Sequence, residues 1–181
     1  MRCSEPLTAT GMRIARHLGT AVLGLALSVC CLVVEAHKSS DSYLQIDAAP
    51  GHLVVRWDIA LRDLDVVLDL DSNADGKLTW GEVRSAWPRI EAYALQHIAI
   101  GGCALSATGR ALERRNDGTY AVLMLEAPCS LPAQPELAYS LFADVDPTHR
   151  GIAKIQRPGQ ALQLTVLEPG VAVAGSAAAS S

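Results

Sequence analysis

His52–Leu61 reads HLVVRWDIAL, and apolar and polar side chains alternate along it between positions 54 and 59. A period of two is typical of a β-strand that turns one face to a core and the other to solvent. Ser42–Ala48 shows a similar alternation, and the turn sequence Ala49-Pro50-Gly51 separates the two segments. Together they predict a β-hairpin.

Further strands are predicted along the rest of the chain, because short apolar runs recur between turn sequences. Asn116-Asp117-Gly118 has the composition of a tight hairpin turn between two of them. The predicted segments are Ile98–Ser106, Arg110–Arg115, Tyr120–Glu126, Leu137–Asp144, Ile152–Gln156 and Ala161–Leu167. Seven or eight short strands with one helical insertion after the second favour an antiparallel β-sandwich-like domain that carries a helix–loop–helix.

The insertion, at about 61–98, contains two segments with helical periodicity. Leucines at 61, 64 and 68 predict an entering helix over Leu61–Leu70. An apolar stripe from Trp80 to Ala94 predicts an exiting helix, and Thr79 with Glu82 has the spacing of a capping box at its start. Because a proline inside a helix removes one hydrogen bond, we expect a kink or break near Trp87, just before Pro88.

Between these helices lies DSNADGKLTWGE, Asp71–Glu82, which has the pattern of a complete EF-hand calcium loop. Oxygen-bearing residues stand at each position that ligates calcium, a glycine at position 6 permits the sharp turn, and a glutamate at position 12 can close the shell with two oxygens. Hard oxygen ligands in this number suit Ca²⁺ rather than a transition metal. The predicted ligands are Asp71, Asn73, Asp75, Lys77 through its carbonyl, Thr79 and Glu82. A surface turn rich in Asp and Asn is the alternative.

The N-terminal region has the features of a secretory signal peptide. Arg13 and Arg16 precede the largely apolar run Leu18–Val34, and Ala36 supplies a small residue for cleavage. The segment 1–36 is therefore predicted to be removed on export to the periplasm or the extracellular space. An uncleaved membrane anchor is the alternative.

Cleavage would remove three of the 15 basic and two of the 19 acidic residues, which leaves a net charge of −5. That charge argues against nucleic acid as a partner. Cys103 and Cys129 would be the cysteines that remain, and an oxidising compartment favours a disulfide between them. The remaining chain is long enough for one domain, predicted over 37–168, and the Pro-, Gly-, Ala- and Ser-rich segment 169–181 is predicted to be disordered.

Three stretches carry a resemblance to a known family: Ala36–Leu44 (AHKSSDSYL), Arg56–Asp65 (RWDIALRDLD) and Asp144–Gly151 (DVDPTHRG). They resemble the exported N-terminal region of HupE/UreJ-like membrane proteins. This resemblance implies an accessory extracytoplasmic domain of a nickel or cobalt transport system and a membrane protein as its partner.

Asp144, Asp146 and His149 form a second, weaker metal-site candidate, since carboxylates and an imidazole crowd one predicted strand end. The alternative is that they cap a turn around Pro147. No motif for a nucleophile, a metalloprotease or a phosphate-binding loop is present. The sequence therefore predicts a protein that binds and does not catalyse. Its main interpretation is an exported calcium-binding module in which calcium is structural.

Overall fold

A computed structural model describes residues 40–171 and 173–174. The predicted signal peptide, and the predicted tail apart from residues 169–171 and 173–174, lie outside the described residues. The first strands are β1 (Asp41–Ala49) and β2 (His52–Ala60). The helices α1 (Leu61–Leu68) and α2 (Trp80–Gln96) follow, and the remaining strands are β3 (Ile98–Ile100), β4 (Ser106–Arg115), β5 (Gly118–Ala127), β6 (Glu136–Tyr139), β7 (Arg150–Gln156), β8 (Gln163–Leu167) and β9 (Val173–Ala174).

Six strands form a large sheet in the order β4-β5-β2-β1-β7-β8, and β3, β6 and β9 form a small one. The predicted mainly β class with a helical insertion is confirmed. The expectation of purely antiparallel pairing is wrong for one pair, because β1 lies parallel to β7 in the register Asp41↔Arg150 to Asp47↔Gln156. The long connection between these two strands allows the chain to return in the same direction.

The hydrophobic core is formed by the apolar side chains that alternate with polar ones along β1 and β2. Along β1 and β2 the side chains of one face are buried, including Ile46, Val55 and Trp57, and they join buried residues of both helices and of the small sheet in one hydrophobic cluster. Trp57 contacts Tyr139 of β6, with ring centroids 6.1 Å apart. This cluster therefore links α1, α2 and both sheets.

The exiting helix does not break at Pro88. The helix α2 continues from Trp80 to Gln96 with Pro88 inside it. Because proline has no N–H, the carbonyl of Arg84 loses its helical hydrogen-bond partner at Pro88. Both residues are exposed, so water can replace the missing bond. Buried Trp87 and Ile90 on either side of Pro88 hold the helix against the core.

Two predicted strands end earlier than expected. The strand from Ile98 stops at Ile100, because Gly101 and Gly102 adopt positive φ of 57° and 74° and turn the chain. The strand from Leu137 stops at Tyr139, and Phe142 beyond it has a φ of 60°. In the segment predicted to be a disordered tail, Val173–Ala174 pairs with β6, and the Gly170 amide donates to the Tyr139 carbonyl over 2.8 Å.

Candidate calcium site

The predicted calcium loop lies between α1 and α2, and both of its ends are fixed to the core. Asp69 ends α1 with a left-handed φ of 50°, and its amide donates to the Asp65 carbonyl over 2.9 Å. The Asp65 carboxylate then accepts the Leu70 and Asp71 amides at 2.7 and 3.0 Å. Because Leu70 is buried, the first ligand position follows directly on an anchored residue. Sequence reasoning gave Asp65 no such role.

The first half of the loop is folded around its own side-chain oxygens. Asp71 Oδ2 accepts the Gly76 amide over 2.7 Å, and Asn73 Oδ1 accepts the Asp75 amide over 2.9 Å. Asp75 Oδ1 accepts the Lys77 amide over 2.9 Å. Gly76 has a φ of 76°, a conformation that favours glycine and that position 6 requires for the turn. The side chains at positions 1, 3 and 5 thus point toward the inside of the loop.

Glu82, at position 12, closes the loop onto its beginning. Its Oε2 accepts the Thr79 amide and hydroxyl at 2.9 and 2.7 Å, and its Oε1 accepts the Ser72 hydroxyl at 3.1 Å. Thr79 Oγ1 accepts the Glu82 amide in return, which completes the predicted capping box of α2. Hydrogen bonds from Thr79 hold the pKa of Glu82 below its ordinary value, so the exposed carboxylate is ionised over a wide pH range.

The donor chemistry fits a hard cation, since every predicted ligand offers oxygen. Among the described residues, no cluster of three or more His, Cys, Asp or Glu side chains is gathered in a metal-holding arrangement. The predicted shell contains three carboxylates, and its other oxygens belong to an amide, a carbonyl and a hydroxyl. In this arrangement Glu82 caps α2, so a bound ion would have to compete with Thr79 and Ser72 for its oxygens.

One packing contact and one hydrogen bond fix the position of the loop relative to the two helices. Leu78, at position 8, is half-buried against the core cluster. Arg89 of α2 donates from Nη1 to the Leu68 carbonyl at the end of α1, over 2.7 Å. Movement of either helix end would therefore disturb the packing of Leu78 or the hydrogen bond between Arg89 and Leu68.

Asp144, Asp146 and His149 are not brought together as a second ligand set. Asp146 Oδ1 accepts the amide and hydroxyl of Thr148 at 2.9 and 2.6 Å, which lowers the pKa of Asp146 and matches the turn-capping alternative. His149 is fully buried, and its ring nitrogens are hydrogen-bonded to the hydroxyls of Ser40 and Tyr139. No ring nitrogen of His149 is left for a metal.

A buried hydrogen-bond network joins the three stretches that carry the family resemblance. The indole of Trp57 donates to Ser42 Oγ over 3.0 Å, and Ser42 is hydrogen-bonded to the Tyr139 hydroxyl at 2.9 Å. The Tyr139 hydroxyl lies 2.6 Å from His149 Nε2, and Ser40 bonds the other ring nitrogen. No local sequence pattern connects these residues, because they come from β1 and the residue before it, from β2, from β6 and from the loop before β7.

Cys103 and Cys129 lie together as a disulfide, with their Cα atoms 5.9 Å apart. Cys103 follows β3 in a turn closed by its amide to the Ile100 carbonyl, and Cys129 follows β5. Both side chains pack against the core cluster. The pairing predicted from the sequence therefore joins the end of the helical insertion to the large sheet.

Comparison with known proteins adds no relative: no family model matches the chain, and no curated protein matches it. Neither helix in the described part of the chain is long and apolar enough to cross a bilayer.

Proposed function

We propose that this chain is an exported calcium-binding module of the EF-hand type, in which the ion has a structural role. One observation carries the proposal: a twelve-residue loop with an oxygen donor at every ligand position joins two helices whose adjoining ends are fixed to the core. Calcium would be held by Asp71, Asn73, Asp75, the Lys77 carbonyl, Thr79 and Glu82.

The charge of the loop supports binding of a divalent cation. Asp75 is exposed and Asp71 and Glu82 are half-buried, and bringing three carboxylates together in one loop without a counterion costs Coulomb repulsion. A bound Ca²⁺ would remove that repulsion and would draw Glu82 away from its hydrogen bonds with Thr79 and Ser72. The stabilisation gained would pass into the core through the neighbouring Leu78 and Val83, which pack there.

A structural role is favoured over a signalling role. Sensor EF-hands pair and open to expose a methionine-rich groove. Here Leu78 already packs against the core, and Met124 is the sole methionine among the described residues. The disulfide between Cys103 and Cys129 fits an oxidising, exported setting. We propose a binding role without catalysis.

The test is a calorimetric titration of the chain that starts at residue 37 with Ca²⁺. An isolated loop of this charge is expected to bind with a Kd on the order of 10⁻⁴ M or somewhat tighter. Glu82→Gln should weaken binding at least tenfold, because it removes the charge and the bidentate closure. Glu91→Gln, on the same helix but outside the loop, is the matched control and should bind like the parent chain. Equal affinities for all three proteins would refute the assignment of this loop.

A second candidate function follows from the resemblance, and the convergence of its three stretches favours it. Ser40, Trp57 and His149 come from different stretches and meet in one buried network, so the stretches act as a unit of the fold. In this candidate the domain serves a HupE/UreJ-like transport system for nickel or cobalt by docking on a membrane protein. Saturable Ni²⁺ or Co²⁺ binding that survives Glu82→Gln would support it, and no binding of either ion would count against a metal-handling role.

A further inference from the structure

A polar cleft of about 220 Å³ opens on the face of the large sheet opposite to its buried side chains. Strand register determines its floor. Gln45 of β1 lies between Arg56 of β2 and Lys154 of β7, and Tyr43 lies between Asp58 and Ile152. None of the residues that line the cleft belongs to α1, α2 or the predicted calcium loop.

Two arginines are held rigidly at one side of this cleft. Asp58 is buried and receives Arg56 Nε at 2.9 Å, and it also pairs with Arg115. Arg115 lies over the ring of Tyr120, with its guanidinium carbon 4.4 Å from the centroid. Glu113 pairs with both arginines, at 2.6 Å from Arg56 and 3.3 Å from Arg115. The guanidinium groups therefore have fixed positions before any ligand arrives.

The third cation differs from these two. Lys154 is exposed on β7, and no ion pair or hydrogen bond of its ammonium is formed with the described residues. The lining residues thus include three cations and one carboxylate, and that carboxylate is already saturated by the arginines. Glu113 also pairs with both arginines, so Lys154 supplies the net positive charge of this group in a chain whose overall charge is negative.

One wall of the cleft is apolar. Tyr43 is 37% exposed, and its neighbour Ile152 is half-buried. The apolar part of an anion that binds beside Lys154 can therefore contact these two side chains. A carboxylate can accept the ammonium donors of Lys154, whereas both guanidinium groups are already paired with Asp58 and Glu113.

We propose that this cleft binds a small organic carboxylate with an apolar body, with Lys154 as its main counterion and Tyr43 and Ile152 as its apolar contact. The cleft shares no residue with the proposed calcium site, so we expect loss of one site to leave the other in place.

Benzoate is the probe. Its binding is measured from ¹H–¹⁵N spectra of the calcium-loaded chain at low and constant ionic strength. We expect saturable shifts of the backbone amides of Tyr43, Gln45 and Lys154. Lys154→Gln should weaken benzoate binding about fivefold or more, because it removes the one unpaired cation. Lys154→Arg should restore most of the affinity. All of these positions are at the surface, so unchanged thermal melting will show that the variants fold.

Arg114→Gln is the matched control, since Arg114 is exposed on β4 and does not line the cleft. It should leave benzoate affinity unchanged. Equal weakening by Arg114→Gln and Lys154→Gln would show a general charge effect and would overturn the proposal. Sulfate is the second probe, and tighter binding of sulfate than of benzoate would overturn the carboxylate assignment. The absence of saturable shifts with benzoate would overturn the site.

Discussion

The imidazole of His149 has no exposed surface and lies between two hydroxyl groups. A neutral imidazole offers one donor and one acceptor, whereas an imidazolium needs an acceptor on both sides. The Tyr139 hydroxyl would then have to donate to Ser42, which already accepts the indole of Trp57. Burial lowers the pKa of His149 to about 4; Asp146 opposes this shift and Arg150 adds to it.

This residue predicts an acid-sensitive stability. Because the pKa of His149 in the folded protein, about 4, is below its ordinary value of 6.5, the unfolded chain binds the proton more readily between these values. The contribution is fully present above pH 6.5 and is lost as the pH falls toward 4. Urea midpoints measured across this range should decrease. His149→Gln should flatten this part of the profile, whereas His52→Gln, which alters an exposed residue, should not; an identical slope in both variants would contradict the assignment.

For single residues, the sequence showed which side chains bear oxygen atoms, but not which of these oxygens already accept hydrogen bonds within the protein. The capping box predicted from Thr79 and Glu82 is confirmed, whereas the calcium ligands read from the EF-hand spacing stay a prediction. The sequence could not show that Asp65 anchors the loop, because that role depends on the end of α1 at Leu68. It left open whether Asp146 and His149 form a weak metal site or cap a turn, since a linear pattern carries no information on burial.

At the scale of secondary structure, local patterns identified most of the elements, and long-range contacts decided where they end. The hairpin of β1 and β2 follows from period-two alternation. The stop after Ile100 does not, because it depends on a close approach: a Cβ at Gly101 would lie 2.8 Å from Leu131 Cδ1. The parallel pairing of β1 with β7 has no local signal, since its partners are more than a hundred residues apart.

The disulfide links two such elements and predicts a measurable loss on reduction. Closing a loop with a separation of 26 residues stabilises a chain by roughly 3–4 kcal/mol on the chain-entropy model. Reduction, or the double substitution Cys103→Ser with Cys129→Ser, should therefore lower the melting temperature by at least several degrees. Differential scanning calorimetry with and without reductant measures this. Two free thiols in protein purified without reductant would rule out the bridge.

For the whole molecule, the proposed calcium site predicts that removal of calcium lowers thermal stability without opening the core. The loop is anchored at Leu70, Leu78 and Val83, so loss of the ion is expected to loosen these contacts and to leave both sheets in place. Thermal melts with EDTA, with Ca²⁺ and with Mg²⁺ as the control should show stabilisation mainly by Ca²⁺. Binding of a hydrophobic dye at room temperature should change little. A large calcium-dependent rise in dye binding would indicate a sensor instead.

The parallel contact between β1 and β7 also has a consequence for the order of folding. The strand β1 occupies an inner position of the large sheet, between β2 and β7, yet its second partner is among the last strands of the chain. Contacts between residues so distant in sequence form slowly, because a long loop must close before they contribute. We therefore expect the hairpin of β1 and β2 to form early, as the chain emerges during synthesis, and to keep an open edge. The sheet closes after residue 156 has arrived, so a chain interrupted before that point exposes an unpaired inner strand to aggregation.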